Sequence, residues 1–272
     1  MPELPEVETT RRWLVAHLPG ARISAVTLVD RRVVERPAPE AFVRGLVGRA
    51  FTTLRRRGKY LLCDLDDGHH LIVHRRMTGN LLLREPGAPA DDHTAAVLQL
   101  EDGRELRFCD RRRLGRLWLA TPAEAAALDA RLGPEPLAPE FTSTELARRL
   151  AGRRGQLKPL LLDQRVVAGL GNIYVDEALF AAGLHPCRAA ETLTAEEVGR
   201  LHAAIQAVLE QGLRNEGTTF SDYRGAVGQP GRNQLLVEVF RKDGQPCARC
   251  GTTIVKTRVG GRGTHYCAVC QR

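Results

Sequence analysis

The rhythm of apolar positions changes along the chain, and each change marks an element. Leu4, Val7, Leu14 and Leu18 recur near helical spacing behind Pro2, with acids in the first turn, which predicts a helix over residues 2–18. From Ala21 to Ala120 the pattern shifts to short β-rich runs at 23–34, 60–65, 71–74, 81–84, 97–100, 106–109 and 117–119. Asp66-Asp67-Gly68 and Glu101-Asp102-Gly103 fall between runs, where hairpin turns belong. A β-sandwich or barrel led by a helix is the expected architecture.

Gly133-Pro134-Glu135-Pro136-Leu137-Ala138-Pro139 reads as a linker by composition. Helical patterns follow over 144–150, 156–167, 173–182 and 194–213. The last opens on a capping box, Thr194 to Glu197, and sets Val198, Leu201, Ile205 and Val208 on one face, which is a core face. No internal repeat is visible. At 272 residues and 43% hydrophobic, the chain can bury a full core and divide into two domains and a small module.

The small module is the C-terminal end. Cys247 and Cys250, then Cys267 and Cys270, form two Cys-x-x-Cys pairs sixteen residues apart, the spacing at which two knuckles clamp one tetrahedral zinc. Charge concentrates there as well. The chain carries a net +8, and residues 241–272 hold seven Lys and Arg against the single acid Asp243. A solvated basic tail would not need four metal-spaced cysteines, so a polyanionic partner, nucleic acid, is expected. Cys63, Cys109 and Cys187 are scattered and odd in number, as reduced, packed thiols are. The acidic start lacks the apolar stretch of a signal peptide, and no apolar run approaches the ~18 residues of a membrane span. A cytoplasmic protein without a membrane partner is expected.

The other end carries the sharpest chemistry. Removal of Met1 would expose the secondary amine of Pro2 beside Glu3 and Glu6. Such an amine attacks a carbonyl carbon and passes directly to a charged iminium, the chemistry of an amine nucleophile. Further in, Arg153-Arg154-Gly155-Gln156-Leu157-Lys158-Pro159 leads into one helix, and Gly169-Leu170-Gly171-Asn172 turns into the next with Asn172 at the expected N-cap. The glycines leave helix amides open to an anion, although an ordinary glycine turn has the same composition.

These motifs come in family order. Pro2-Glu3-Leu4-Pro5-Glu6-Val7-Glu8-Thr9, Arg57-Gly58-Lys59-Tyr60-Leu61, residues 74–79, Gly133-Pro134-Glu135-Pro136-Leu137, residues 169–174, Gly217-Thr218-Thr219 and the four cysteines make the chain resemble formamidopyrimidine-DNA glycosylase from end to end. The resemblance implies an α+β, multidomain fold: an N-terminal β-sandwich with its leading helix (1–132), a helix–two-turns–helix domain (133–236) and a zinc finger (237–272). It implies a bifunctional glycosylase and abasic-site lyase that excises oxidised purines and nicks the strand by β,δ-elimination. The partner is double-stranded DNA with oxidised bases or abasic sites, crossing a cleft between lobes. A monomer associated with the bacterial nucleoid is expected, with one structural Zn2+.

By the same resemblance Pro2 is the nucleophile on C1′ and Glu3 the acid that assists sugar ring opening, with Glu6 supporting them. Lys59 meets the lesion phosphate and helps proton transfer, whereas Arg55 to Arg57 read as a solvated charge run. Arg262 grips phosphates for δ-elimination, which suits its forked donors. Arg153, Lys158 and Asn172 hold phosphates without reading sequence. His93 contacts DNA, and His74, like it, flanks a β run. Met77, Arg112 and Leu114 fill the gap that a flipped base leaves, though an exposed Met is elsewhere often packing filler.

The chain departs from the pattern in three places. Leu114 stands where the family has an aromatic wedge. Arg111 replaces a proline, and Arg75-Arg76 makes the Met77 loop more basic than usual. Asn233 replaces the common Phe in the loop that closes over the extruded base, which bears on lesion preference. Endonuclease VIII, the sister enzyme for oxidised pyrimidines, is disfavoured by Pro-Glu-Leu-Pro at the start. A non-catalytic damaged-DNA binder is disfavoured by the presence of Pro2, Glu3 and Lys59 together.

Overall fold

The computed structural model describes residues 2–272; Met1, whose removal is expected from the sequence, lies outside the described residues. Contacts divide the chain into two compact units, residues up to Ala130 with Leu213–Gln234, and Arg131–Gly212 with Leu235–Arg272.

The first unit opens with α1 (Leu4–Val15). It is shorter than the predicted 2–18, because Glu3 is its N-cap and residues beyond Val15 turn away. Then come β1 (Ile23–Leu28), β2 (Val34–Arg36), α2 (Pro39–Leu46), β3 (Phe51–Arg57), β4 (Tyr60–Leu65), β5 (His70–His74), β6 (Gly79–Arg84), β7 (Thr94–Leu100), β8 (Glu105–Asp110), β9 (Arg116–Ala120) and α3 (Pro122–Ala130). The strands form a four-stranded sheet ordered β1-β7-β8-β6 and a five-stranded sheet ordered β2-β9-β5-β4-β3. Leu81, Leu98 and Phe108 from the first sheet and Leu61, Val73 and Leu117 from the second join Val7 and Leu14 of α1 in one buried cluster. The predicted sandwich with a leading helix is therefore the observed architecture. On the other face of the five-stranded sheet, Leu62, Ile72 and Ala120 pack with Ala125 of α3.

The expected turns are present: Gly68 and Gly103 take φ of 85° and 87° between β4 and β5 and between β7 and β8. Three elements were not expected: β3, α2 and α3. Arg55, Arg56 and Arg57 belong to β3 rather than to a simple solvated run, each paired with a carboxylate (Asp64, Glu8 and Asp129). Helices α2 and α3 begin on prolines, whose fixed φ suits a first turn.

The second unit holds α4 (Ser143–Leu150), α5 (Leu157–Leu162), α6 (Asn172–Ala182) and most of α7 (Ala195–Arg214), followed by a hairpin of β10 (Val255–Val259) and β11 (Arg262–Tyr266). The capping box of α7 is as read: Glu197 Oε2 accepts from Thr194 N–H at 2.8 Å and Thr194 Oγ1 accepts from Glu197 N–H at 3.2 Å. Helix α5 stops five residues short of expectation, since Asp163 turns the chain and accepts from Arg165 N–H. The proline-rich segment 133–139 is packed, with Gly133 N–H donating to Gln164 O and Pro134 O accepting from Ala168 N–H. Gly133 is obligatory because a Cβ would lie 2.6 Å from Arg165 O. No helix among the described residues is long and apolar enough to cross a membrane.

Candidate active site and nucleic-acid interface

The head of α1 is built by its own carboxylates. Pro2 and Glu3 are buried, and Glu6 Oε2 accepts from the Glu3 amide at 2.8 Å, the Glu6 half of a capping box. The second oxygen of Glu6 accepts from Thr218 N–H at 2.7 Å, tying the helix head to the Gly217-Thr218 turn. Gly217 has φ of 86°, and a Cβ there would meet Glu6 Cγ at 2.9 Å, so glycine is required on both counts.

Lys59 is 6% exposed and sits in the two-residue turn between β3 and β4, closed by the Arg57–Tyr60 pair. Gly58 supplies the positive φ of 54° that the first turn position demands. His74, at the end of β5, does not face solvent as a DNA contact would. It is 7% exposed, its Nδ1 accepts from Arg76 N–H at 3.1 Å, and Tyr60 packs edge-on against it. Burial, aided by the charges of Arg76 and Lys59, pulls its pKa down to about 3, so the ring is neutral.

Two turns present the expected gap-filling residues. Met77 lies between β5 and β6, and Arg112 and Leu114 lie between β8 and β9; all three are exposed. Asp110, 1% exposed, joins these turns: its carboxylate accepts from Thr78 Oγ1, from Arg112 N–H at 3.2 Å and from Gly115 N–H at 2.6 Å. The Asp110 amide in turn donates to the carbonyl of His93, an exposed residue held at φ 58°. Sequence reading passed over Asp110; an aspartate directly before a tight arginine turn was the available signal. Arg75 is a second correction. It adds nothing to the basicity of the Met77 surface, because it is 2% exposed and its guanidinium points inward.

In the second unit, Arg262 is exposed at the start of β11, after a Gly260-Gly261 turn whose φ values of 56° and 75° require glycine. The next residue is where three expected phosphate ligands converge or fall away. Lys158 is fully buried: its Nζ donates to Asp176 Oδ1 at 2.6 Å and to Gly263 O at 2.9 Å. Asn172 also donates to Gly263 O, at 2.9 Å, and its own carbonyl oxygen is buried without a protein partner. Asn172 is the first helical residue of α6, and Gly171 is the N-cap. Arg153 is half-buried and turns back on Arg149 O at 2.9 Å.

Adjacent acids on α6 hold this end together, and both were missed in the sequence. Asp176 accepts from His265 N–H at 3.0 Å as well as from Lys158. Glu177 accepts from the amides of Glu238, Val239 and Phe240 at 2.7 to 3.0 Å. Burial pushes the Glu177 carboxyl pKa up against those three donors. An Asp-Glu pair inside an apolar helix is the signal, since buried carboxylates need partners.

The four cysteines form one cluster, with their sulfurs within 4.8 Å of one another. Cys250 and Cys267 Sγ are 3.4 Å apart, and Cys247 and Cys270 Sγ 3.9 Å. Four sulfurs at about 2.3 Å from one zinc would stand about 3.8 Å apart, so the set fits a tetrahedral ion. Without metal, hydrogen bonds from Thr252 and from neighbouring thiols bring Cys250 down to about 6, and the hydrogen bond to Cys250, with desolvation, lifts Cys270 to about 12. Zinc would take all four as thiolates and release protons on binding. Burial pushes the Cys63 and Cys109 thiols up, which makes both inert.

A buried proline at a helix head beside carboxylates, together with a basic hairpin flanked by four cysteines that fit one metal ion, suits an enzyme that works on nucleic acid. Comparison with known proteins gives the particular family. Residues 1–117 match the formamidopyrimidine-DNA glycosylase N-terminal domain, 132–224 its H2TH domain, and 244–272 the zinc finger found in FPG and IleRS. A formamidopyrimidine-DNA glycosylase of Roseiflexus sp. (strain RS-1) is 49% identical over 273 residues, all of both chains. Another, from Moorella thermoacetica, is 51% identical over 260 residues, 95% of each. The Lactococcus lactis enzyme superposes with a TM-score of 0.92 at 35% identity, both in complex with abasic-site DNA (99% of each chain) and with Fapy-dG DNA (99% of this chain, 100% of that one). The chain belongs to the formamidopyrimidine-DNA glycosylase family.

Proposed function

We propose that this protein is a DNA glycosylase and abasic-site lyase of base excision repair, which removes oxidised purines and then cuts the strand. The observation that carries the reading is the head of α1, where the residue with the only secondary amine a processed N-terminus could offer precedes a buried Glu3 fixed by Glu6. Once Met1 is removed, Pro2 N attacks C1′ of the damaged nucleotide, the bond from C1′ to the base breaks as the purine leaves, and Glu3 delivers a proton to the sugar ring oxygen as the ring opens. The resulting iminium acidifies the neighbouring sugar C–H, and elimination expels the phosphates on either side in turn. Lys59 stands by for the phosphate and for proton transfer.

Arg262 and Arg153 grip flanking phosphates, and His93 adds a contact beside the wedge. Lys158 and Asn172 serve from behind, by holding Gly263 and hence the Arg262 hairpin. His74 packs behind Lys59 as a neutral ring. Met77, Arg112 and Leu114 fill the helix when the lesion is extruded, and the loop 225–234 covers the base. The cysteine cluster holds one structural zinc, which folds a segment too small for its own core. We assign 1–132 to the catalytic sandwich, 133–236 to the helical DNA-binding domain and 237–272 to the zinc finger, in a monomer working in the cytoplasm on the nucleoid.

Borohydride trapping tests this reading. Protein with a free Pro2 amine should form a covalent adduct with an 8-oxoguanine or abasic duplex, and protein blocked by an added N-terminal residue should not. Full-yield trapping by the blocked protein would assign the nucleophile to a lysine.

A further inference from the structure

The two turns that carry the gap-filling residues each hold an arginine, and the two arginines reach one short segment: Arg75 reaches Tyr223 and Arg224, and Arg111 reaches Asp222. Arg75 precedes Met77 by two positions. All five of its N–H donors are accounted for: Gly79 O at 2.8 Å, Glu6 O at 3.3 Å, Thr10 Oγ1 at 2.8 Å, Asn80 Oδ1 at 2.6 Å and Arg224 O at 2.9 Å. Its guanidinium also lies 5.1 Å from the Tyr223 ring centroid. None of these acceptors is a carboxylate, so this buried cation acts as a five-way joint rather than an ion-pair partner.

Arg111 is in the other turn, immediately before Arg112. It forks onto the Asp222 carboxylate, Nε to Oδ1 at 2.9 Å and Nη2 to Oδ2 at 3.3 Å. Asn80, at the start of β6, completes the attachment: its Nδ2 donates to Asp222 O at 2.8 Å, and its Oδ1 accepts from Arg224 N–H at 2.9 Å. Backbone and side chain of this segment are thus tied to the Met77 turn and to the Arg112–Leu114 turn at once, within the first unit.

We propose that Arg111 and Asp222 are positioning residues that couple the wedge to the base-covering loop, with Arg75 and Asn80 as the buried anchor of the same strut. Rigid attachment means that a loop settled on an extruded base holds the wedge in the helix, and a wedge that withdraws loosens the loop. The proposal rests on the assignment of Met77 and Leu114 as the wedge and of 225–234, which Asp222, Tyr223 and Arg224 directly precede, as the cover. Neither Arg111 nor Asp222 touches the reacting atoms in this scheme.

The test uses the full-length zinc-bound enzyme and two substrates. Single-turnover excision of 8-oxoguanine from duplex requires extrusion; cleavage at a preformed abasic site in single-stranded DNA requires neither wedge nor cover. Arg111 is 58% exposed in its side chain, so its removal should not unfold the unit. Arg111→Ala and Asp222→Asn should each slow duplex excision about threefold, the size expected of an exposed ion pair. The double variant should be no slower than either alone, and the exchange Arg111→Asp with Asp222→Arg should recover most of the rate. Single-strand cleavage should not change. Additive losses, or no recovery on exchange, would overturn the coupling. Normal excision by the Arg111 and Asp222 variants would overturn it too, while Leu114→Ala and Met77→Ala report separately on the wedge assignment. If those two also excise normally, the underlying assignment fails and the coupling with it.

Discussion

Asp176→Asn isolates how a buried charge network serves a surface arginine. In the native protein the Asp176 carboxylate, 1% exposed, receives Lys158 Nζ at 2.6 Å and His265 N–H at 3.0 Å. Asparagine keeps the shape and removes the charge, leaving a fully buried ammonium whose counter-ion is gone. Breaking one side of such a pair costs about 3–5 kcal/mol, a large part of the ~5–15 kcal/mol that holds a protein of this kind folded. Urea denaturation followed by circular dichroism should show that loss. Because Lys158 and Asn172 both hold Gly263 O, the hairpin bearing Arg262 should loosen too. Binding to an abasic duplex should then show a log–log salt slope smaller by about one unit, one phosphate contact fewer. Lys158→Met with Asp176→Leu should recover much of the stability, since apolar replacement of a whole buried pair is often neutral. It should not recover the slope, because His265 N–H loses its partner and Gly263 O keeps only Asn172. A loss below about 1 kcal/mol for Asp176→Asn, or an unchanged slope, would refute the reasoning.

Three further outcomes follow from other parts of the molecule. His74 has a folded pKa near 3 against an ordinary 6.5, so the unfolded chain takes up the proton first; its contribution is complete above about pH 6.5 and is lost as pH falls towards 3, by up to about 1.4 kcal/mol per unit. His74→Gln should flatten the pH–stability curve in that window, and an unaltered curve would contradict the neutral buried ring. Zinc chelation or Cys250→Ser should weaken DNA binding more than it destabilises the sandwich, measured by duplex titration beside thermal unfolding; unchanged affinity of the metal-free protein would dismiss the idea. Leu114→Phe should tighten binding to lesion duplex, because base–aromatic stacking contributes ~1–3 kcal/mol that leucine cannot. Equal effects on duplex and single-stranded abasic DNA would mean that residue 114 only packs.

What the sequence determined by itself is whatever depends on spacing along the chain. Two Cys-x-x-Cys pairs suffice for a metal site, because each pair is a local knuckle. Thr194 and Glu197 suffice for a cap, and Asp-Gly steps for the hairpin turns at Gly68 and Gly103, because each needs only its neighbours. The order of motifs likewise sufficed for the family. Only the tertiary structure decided the fate of the charges. Arg75 and His74 are the same residue types as the exposed Arg112, Arg262 and His93, Lys158 is a cation like the exposed arginines, and nothing local distinguishes the buried from the exposed. Their burial follows from partners distant in sequence: Gly263 for Lys158, Arg224 for Arg75, and Tyr60 packed on His74 across two strands. Asp110 and Asp176 were overlooked for the same reason, since each acts by receiving donors from remote segments. A buried polar group must find a partner, but its choice of partner is a property of the packed chain rather than of the residues beside it.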